Sequence, residues 1–207
     1  GIASTKAFTA QLLVLFLLSA QMMEAAEARP ELIRGVRNIA DEVAAALQLD
    51  AAIQAQADKF ASQQQALFLG RGPMYPIAME GALKLKETSY LHAEAYAGGE
   101  MRHGPMALID EHMLVVAVAP HDAWLERVKA VLQEVNARGG QILVFADNHA
   151  ALTTSESMTV IEPPRTNALL APICYTLPLQ LLAYHVAVAK GTDVDQPRNL
   201  EKSVAVT

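Results

Sequence analysis

Ala66-Leu67-Phe68-Leu69-Gly70-Arg71-Gly72 and, further along, Met113-Leu114-Val115-Val116-Ala117-Val118-Ala119-Pro120 are short, unbroken apolar runs that stop at glycine or proline. A strand covered on both faces has this form, because neither side of it needs a polar residue. Two further runs, Gln141–Ala146 and Met158–Glu162, repeat the pattern. Helical periodicity separates them, over about 75–91 and 122–138, and a long apolar segment follows over about 169–190. Apolar strands alternating with helices predict an α/β domain with a doubly wound parallel sheet flanked by helices. In such folds ligands gather at the carboxyl ends of the strands.

Outward from this block, the first third of the chain contains no strand-like run. Residues 4–23 predict a helix capped by Ser4 or Thr5, and a second runs from Pro30 to about Leu47 with Leu32, Ile33, Val36, Ile39 and Val43 at helical spacing. Residues 51 to about 64 predict a polar third helix. Three successive helices open an α/β domain poorly, and they read as the tail of something else followed by a linker. The chain starts Gly1-Ile2-Ala3-Ser4-Thr5-Lys6, with no initiator Met and no basic segment before an apolar run. A fragment or processed chain is therefore expected, without a signal peptide.

With 207 residues, 52% of them hydrophobic and 18% charged, the chain can bury a globular core. Its net charge of -6, with Lys and Arg scattered, speaks against a nucleic-acid partner. The single cysteine, Cys174, leaves no disulfide framework and fits a reducing cytoplasm. Leu12–Leu18 is too short to span a membrane. Ala168–Ala189 is long enough but contains Pro172, Pro178, Gln180 and His185, which point to a buried helix rather than a membrane segment.

Within Glu80-Gly81-Ala82-Leu83-Lys84-Leu85-Lys86-Glu87, the residues Glu80, Lys84 and Glu87 stand at i, i+4 and i+7 and share one helix face. This is either a solvated salt-bridge ladder or a carboxylate base with a proton donor beside it. The helix follows a strand ending in Gly70-Arg71-Gly72, so its start lies at the ligand edge of the sheet. That glycine loop has no Ser or Thr nearby and two prolines beyond it, so a structural role fits better than a phosphate cradle. Residues 92–105, His92-Ala93-Glu94-Ala95-Tyr96-Ala97-Gly98-Gly99-Glu100-Met101-Arg102-His103-Gly104-Pro105, predict an irregular loop that presents His103. They lack the spacing of a zinc site, and no metal is expected. The polar C-terminus, Gly191 to Ser203, should fray by composition, as a plain tail or as a lid ending in Lys202.

Ala3-Ser4-Thr5-Lys6-Ala7-Phe8-Thr9, the Glu80–Glu87 helix, His92–Tyr96 with His103-Gly104-Pro105, and Thr192–Leu200 with Lys202-Ser203 together resemble the isomerase region of the glucosamine-6-phosphate synthases, the isomerising glutamine–fructose-6-phosphate transaminases. The resemblance spans the chain in the family's order. It implies two SIS (sugar isomerase) domains in the parent enzyme, with residues 1–61 as the last helix of a truncated first SIS domain plus linker helices. Residues 62–207 would be the second SIS domain with its C-terminal tail. It also implies conversion of fructose 6-phosphate plus ammonia to glucosamine 6-phosphate without a cofactor, in a homodimer served by a glutaminase domain. By the same resemblance Glu87 carries the proton from C1 to C2, its pKa lifted by Glu80, while Lys84 serves a substrate hydroxyl. Lys202 forms a Schiff base with the open-chain sugar, and His103 opens the ring in the neighbouring subunit's site. Ala3, Ser4 and Glu80 contact the sugar. The family's glutaminase cysteine and its Ser/Thr-rich phosphate loop are not matched here. The alternatives are an SIS-type glucosamine-6-phosphate deaminase, a sugar-phosphate-sensing SIS module, or a fragment that folds and dimerises without turnover.

Overall fold

A computed structural model describes residues 3–22 and 29–200. Five parallel strands, β1 (Gln65–Gly70), β2 (His92–Ala97), β3 (Leu114–Val118), β4 (Gln141–Phe145) and β5 (Met158–Ile161), form one sheet in the order β2-β1-β3-β4-β5. Register runs Ala66 to Ala93 and Ala66 to Leu114, then Leu114 to Gln141 and Ile142 to Met158. The interior strands β1, β3 and β4 are almost wholly buried, as their unbroken apolar runs require.

Among the described residues six α-helices accompany the sheet: α1 (Lys6–Met22), α2 (Arg29–Leu47), α3 (Asp50–Ala61), α4 (Met74–Ser89), α5 (Leu125–Asn136) and α6 (Ala171–Ala189). The pleat sorts strand residues to two faces. Phe68, Val116 and Phe145 face a core completed by α3, α4 and α6. Leu67, Leu69, Val115 and Val144 face α5 and the two 3₁₀ turns between β2 and β3. The predicted α/β doubly wound sheet is thus observed.

Helix α6 is central to the first layer. It is long and apolar enough by composition to cross a membrane, yet most of it is buried against α3, α4 and α2. Gly81 lets α4 approach it: a Cβ there would lie 2.8 Å from Leu179 Cδ1 and 3.0 Å from Phe68. Although α3 precedes residue 62, it inserts Ile53, Ala57 and Phe60 into the main core. Helix α2 docks on α6 through Ile39, Leu170, Ile173 and Cys174. Burial pushes the Cys174 thiol up to about 12, which leaves it inert at neutral pH.

Two sequence expectations fail here. Residues 92–97 form the edge strand β2 and not part of an irregular loop. Their alanines and Glu94 have weak strand propensity, and an edge position asks for less. The tail from Thr192 to Leu200 does not fray, because it is bonded to α4 and α6.

Candidate functional site

Glu80, Lys84 and Glu87 lie along one face of α4, as their spacing requires, and the face is shielded from water. Lys84 Nζ stands 2.6 Å from Glu87 Oε2 and 3.6 Å from Glu80 Oε1. Side-chain exposure is 5% for Lys84, 10% for Glu80 and 22% for Glu87. A solvated ladder is therefore ruled out. A buried ammonium costs several kcal/mol unless it is paired, and here two carboxylates pair it. Burial, foremost, holds the Glu80 carboxyl above its ordinary value. Lys84 opposes that shift and the Glu87 charge adds to it.

This arrangement has a proton-handling logic. With both carboxylates ionised, the cluster carries one excess negative charge around Lys84. If Glu87 takes up a proton, Glu80 still neutralises the lysine, and one cause of Glu80's raised proton affinity disappears. Lys84 also fixes the Glu87 carboxylate through one oxygen.

The placement differs from the sequence argument that located the site. Helix α4 does start at the carboxyl edge of the sheet, directly after β1. Glu87, however, stands 13 positions beyond Met74, about 20 Å along the helix, close to the amino edge where β2 begins. At the carboxyl edge the Trp124 indole sits on Gly72, whose φ of +55° and missing Cβ admit it, with the Arg71 and Arg127 guanidiniums 5.3 and 5.4 Å from the ring centroid. Beside it a pocket of about 530 Å³ is lined by Asp122, Trp124, Asp147, Arg165 and Tyr175, and among the described residues none of the expected catalytic ones faces it.

An open groove of about 750 Å³ runs along α4 between Glu80, Leu83 and Lys86, the β2 residues Glu94 and Tyr96, and Phe8 and Leu12 of α1; Glu80 lines it, whereas Lys84 and Glu87 do not. Ala3 and Ser4 precede α1 by one short turn, and Gln180 of α6 donates to Thr5 O at 3.4 Å. The N-terminal segment thus meets the α4–α6 layer. His103 is exposed at the end of the first 3₁₀ turn. Its neighbour Met101 is buried in the α5 layer, and Arg102 pairs with Glu134 of α5. The sheet lies between that layer and α4, so one copy of the chain does not bring His103 and Glu87 together. Lys202 lies outside the described residues.

Sequence reasoning missed the anchor of the tail. Thr192 Oγ1 donates to Thr88 O at 2.6 Å and to Ala187 O at 3.0 Å. Asp193 Oδ1 accepts from the N–H groups of Asp195 and Gln196, both at 2.9 Å, which shapes a tight turn. The Arg198 N–H donates to the Tyr90 hydroxyl at 2.9 Å, and its guanidinium lies 4.1 Å from the Tyr90 ring centroid. Asp193 at a turn position was the one readable signal; contacts between residues 90 and 198 leave none. Among the described residues no three His, Cys, Asp or Glu side chains converge as a metal site.

An SIS domain model matches residues 59–190, and the chain belongs to the SIS domain family. It is 54% identical over 210 residues to the glutamine–fructose-6-phosphate aminotransferase [isomerizing] of Escherichia coli strain K12, a match covering 100% of this chain and 34% of the relative. The Haemophilus influenzae protein of the same name is 54% identical over 211 residues, covering 100% of this chain and 35% of the relative. The chain therefore spans about a third of the length of these relatives. Among solved structures, the C-terminal domain of glucosamine-fructose-6-phosphate aminotransferase from Francisella tularensis superposes with a TM-score of 0.89 at 44% identity, over 95% of this chain and 57% of that one. A glucosamine-6-phosphate deaminase from Thermotoga maritima superposes with a TM-score of 0.72 at 25% identity, over 98% of this chain and 57% of that one.

Proposed function

We propose that the chain is the sugar-phosphate isomerase part of an isomerising glutamine–fructose-6-phosphate aminotransferase, making glucosamine 6-phosphate from fructose 6-phosphate and ammonia. The observation that carries this reading is Lys84, enclosed between Glu80 and Glu87 on α4, with the polar tail fastened at the end of the same helix. In the longer polypeptide, a glutaminase domain supplies ammonia from glutamine. Residues 1–61 then end a first SIS domain and lead into a second, residues 62–207.

In this account, His103 of a second copy moves the proton from the C2 hydroxyl to the ring oxygen, which opens the sugar. Its position across the sheet from Glu87 supports a homodimeric site. The Lys202 amine adds to the C2 carbonyl and water leaves, giving a Schiff base. Ammonia then displaces the lysine at C2. Glu87 takes a proton from C1 and returns it to C2, while the C1 hydroxyl proton passes to nitrogen, leaving an aldehyde at C1 and an amine at C2. Lys84 holds Glu87 through Oε2, so the other carboxylate oxygen carries the proton. Ala3 and Ser4 contact the sugar from the start of α1. A cytoplasmic location suits this metabolism.

Identity favours the synthase over the deaminase reading, at 54% against 25%. A sensor would have no use for a buried base and a terminal lysine. The test is borohydride trapping of fructose 6-phosphate on the full-length polypeptide, followed by peptide mass spectrometry. A reduced adduct on Lys202 is expected. An adduct on another lysine, or none, would remove Lys202 from the mechanism.

A further inference from the structure

Tyr90 ends α4 at a φ of 59°, in the left-handed region where glycine is the ordinary residue. A bulky aromatic residue held there costs backbone strain, and such positions persist where the side chain has work to do. Its N–H closes the helix on Lys86 O, a bond that any non-proline residue would make. The side chain is therefore what needs explaining. Half-buried, it touches the tail twice: the hydroxyl accepts the Arg198 N–H at 2.9 Å, and the ring lies 4.1 Å under the Arg198 guanidinium. Thr192 makes a second fastening one turn back, on Thr88 O. Between the two Pro197 is buried, and just beyond Arg198 the residue Asn199 takes a φ of 60°.

We infer that Tyr90 is a positioning residue, a latch that fixes the C-terminal tail at the end of α4 so that Lys202 is delivered to the sugar beside Glu87. The inference rests on the proposed role of Lys202. Chain lengths support it. Tyr90 follows Glu87 by three residues, and Lys202 follows Arg198 by four, a span of at most about 14 Å. A lysine side chain adds about 6 Å of reach. With Arg198 pinned on Tyr90, the span from Arg198 to the Lys202 amine is long enough to reach the Lys84–Glu87 face, whereas a tail fastened only at Thr192 would search a larger volume. Fastening the tail thus raises the effective concentration of the amine at the sugar carbonyl.

Tyr90→Gly separates this role from a structural one. Glycine relieves the left-handed strain and keeps the helix-closing N–H, but removes the latch. In the full-length polypeptide with fructose 6-phosphate, borohydride trapping on Lys202 should slow about tenfold in this variant, the combined worth of a hydrogen bond and a cation–π contact. Trypsin should cut after Arg198 faster than in the unsubstituted protein, with Tm not lowered. Tyr90→Phe, which keeps the ring and loses the hydroxyl, should fall between the two. Trapping and cleavage at unsubstituted rates in Tyr90→Gly would overturn the latch while leaving Lys202 in its role. Absence of a Lys202 adduct in the unsubstituted protein would overturn the role itself, and the latch's purpose with it.

Discussion

Lys84 is the residue on which the site turns. A buried ammonium between two carboxylates is held by mutual need, since removing one partner leaves the others charged and poorly solvated. Lys84→Met should therefore destabilise the fold by about 2–3 kcal/mol, at the lower end for a buried pair because Glu87 retains some contact with water. Chemical denaturation would measure it, and a change within error would mean the cluster is solvated in solution. Glu80 makes a second expectation. Its carboxyl is held above 4.5 in the folded protein, so the folded state binds that proton more tightly than the unfolded chain. The ionised group then costs stability at neutral pH, and the cost is relieved as pH falls toward 4.5. Compared with Glu80→Gln, the unsubstituted protein should gain in relative Tm from about pH 7 to about pH 5. A flat difference would show that Lys84 cancels the effect of burial, and a loss would show that it outweighs it.

At the scale of elements, the packing of α4 on α6 positions the site. Gly81→Val would drive a side chain into Leu179 and Phe68, prying the helices apart at a cost of about 1–3 kcal/mol. The same shift should disturb the Thr88–Ala183 bond and loosen the tail, read as faster tryptic cleavage after Arg198. Normal stability and cleavage would mean α6 accommodates the side chain. This element scale also separates what was legible in the sequence from what was not. The strands β1, β3 and β4 announced themselves because burial on both faces leaves an unbroken apolar signature. The edge strand β2, built from His92-Ala93-Glu94-Ala95-Tyr96-Ala97, carries no such mark. The i, i+4, i+7 spacing placed Glu80, Lys84 and Glu87 on one face, since a helix obeys its own period. Their burial was illegible, because it depends on what packs against α4. The carboxyl-edge rule locates only the start of α4, and Glu87 lies near the other end of that helix. The tail's anchor on Tyr90 joins residues far apart in sequence and had no local signal at all.

For the whole molecule, the layers divide the expected catalytic residues. Glu80, Lys84 and Glu87 lie with α6 and the tail on one face of the sheet, and His103 lies with α5 on the other. On the proposed reading a second copy supplies the missing histidine. Mixing full-length Glu87→Gln with full-length His103→Ala should then restore part of the lost activity by forming heterodimers with one intact site. No recovery after subunit exchange would place His103 outside the site. Helix α1 has no buried residue, and its Val14, Leu15, Leu18 and Met22 are exposed. Such an apolar face is costly in water, and on the proposed reading the first SIS domain covers it.

The most direct test concerns Glu87. The full-length polypeptide, incubated with fructose 6-phosphate in deuterium oxide, should remove the C1 proton signal in the NMR spectrum. In Glu87→Gln that exchange should fall by a factor of about 100 to 10,000, the usual contribution of a general base, with the circular dichroism spectrum unchanged. Exchange that persists at the unsubstituted rate in a folded Glu87→Gln protein would contradict the account, because the proton would then move on some other group.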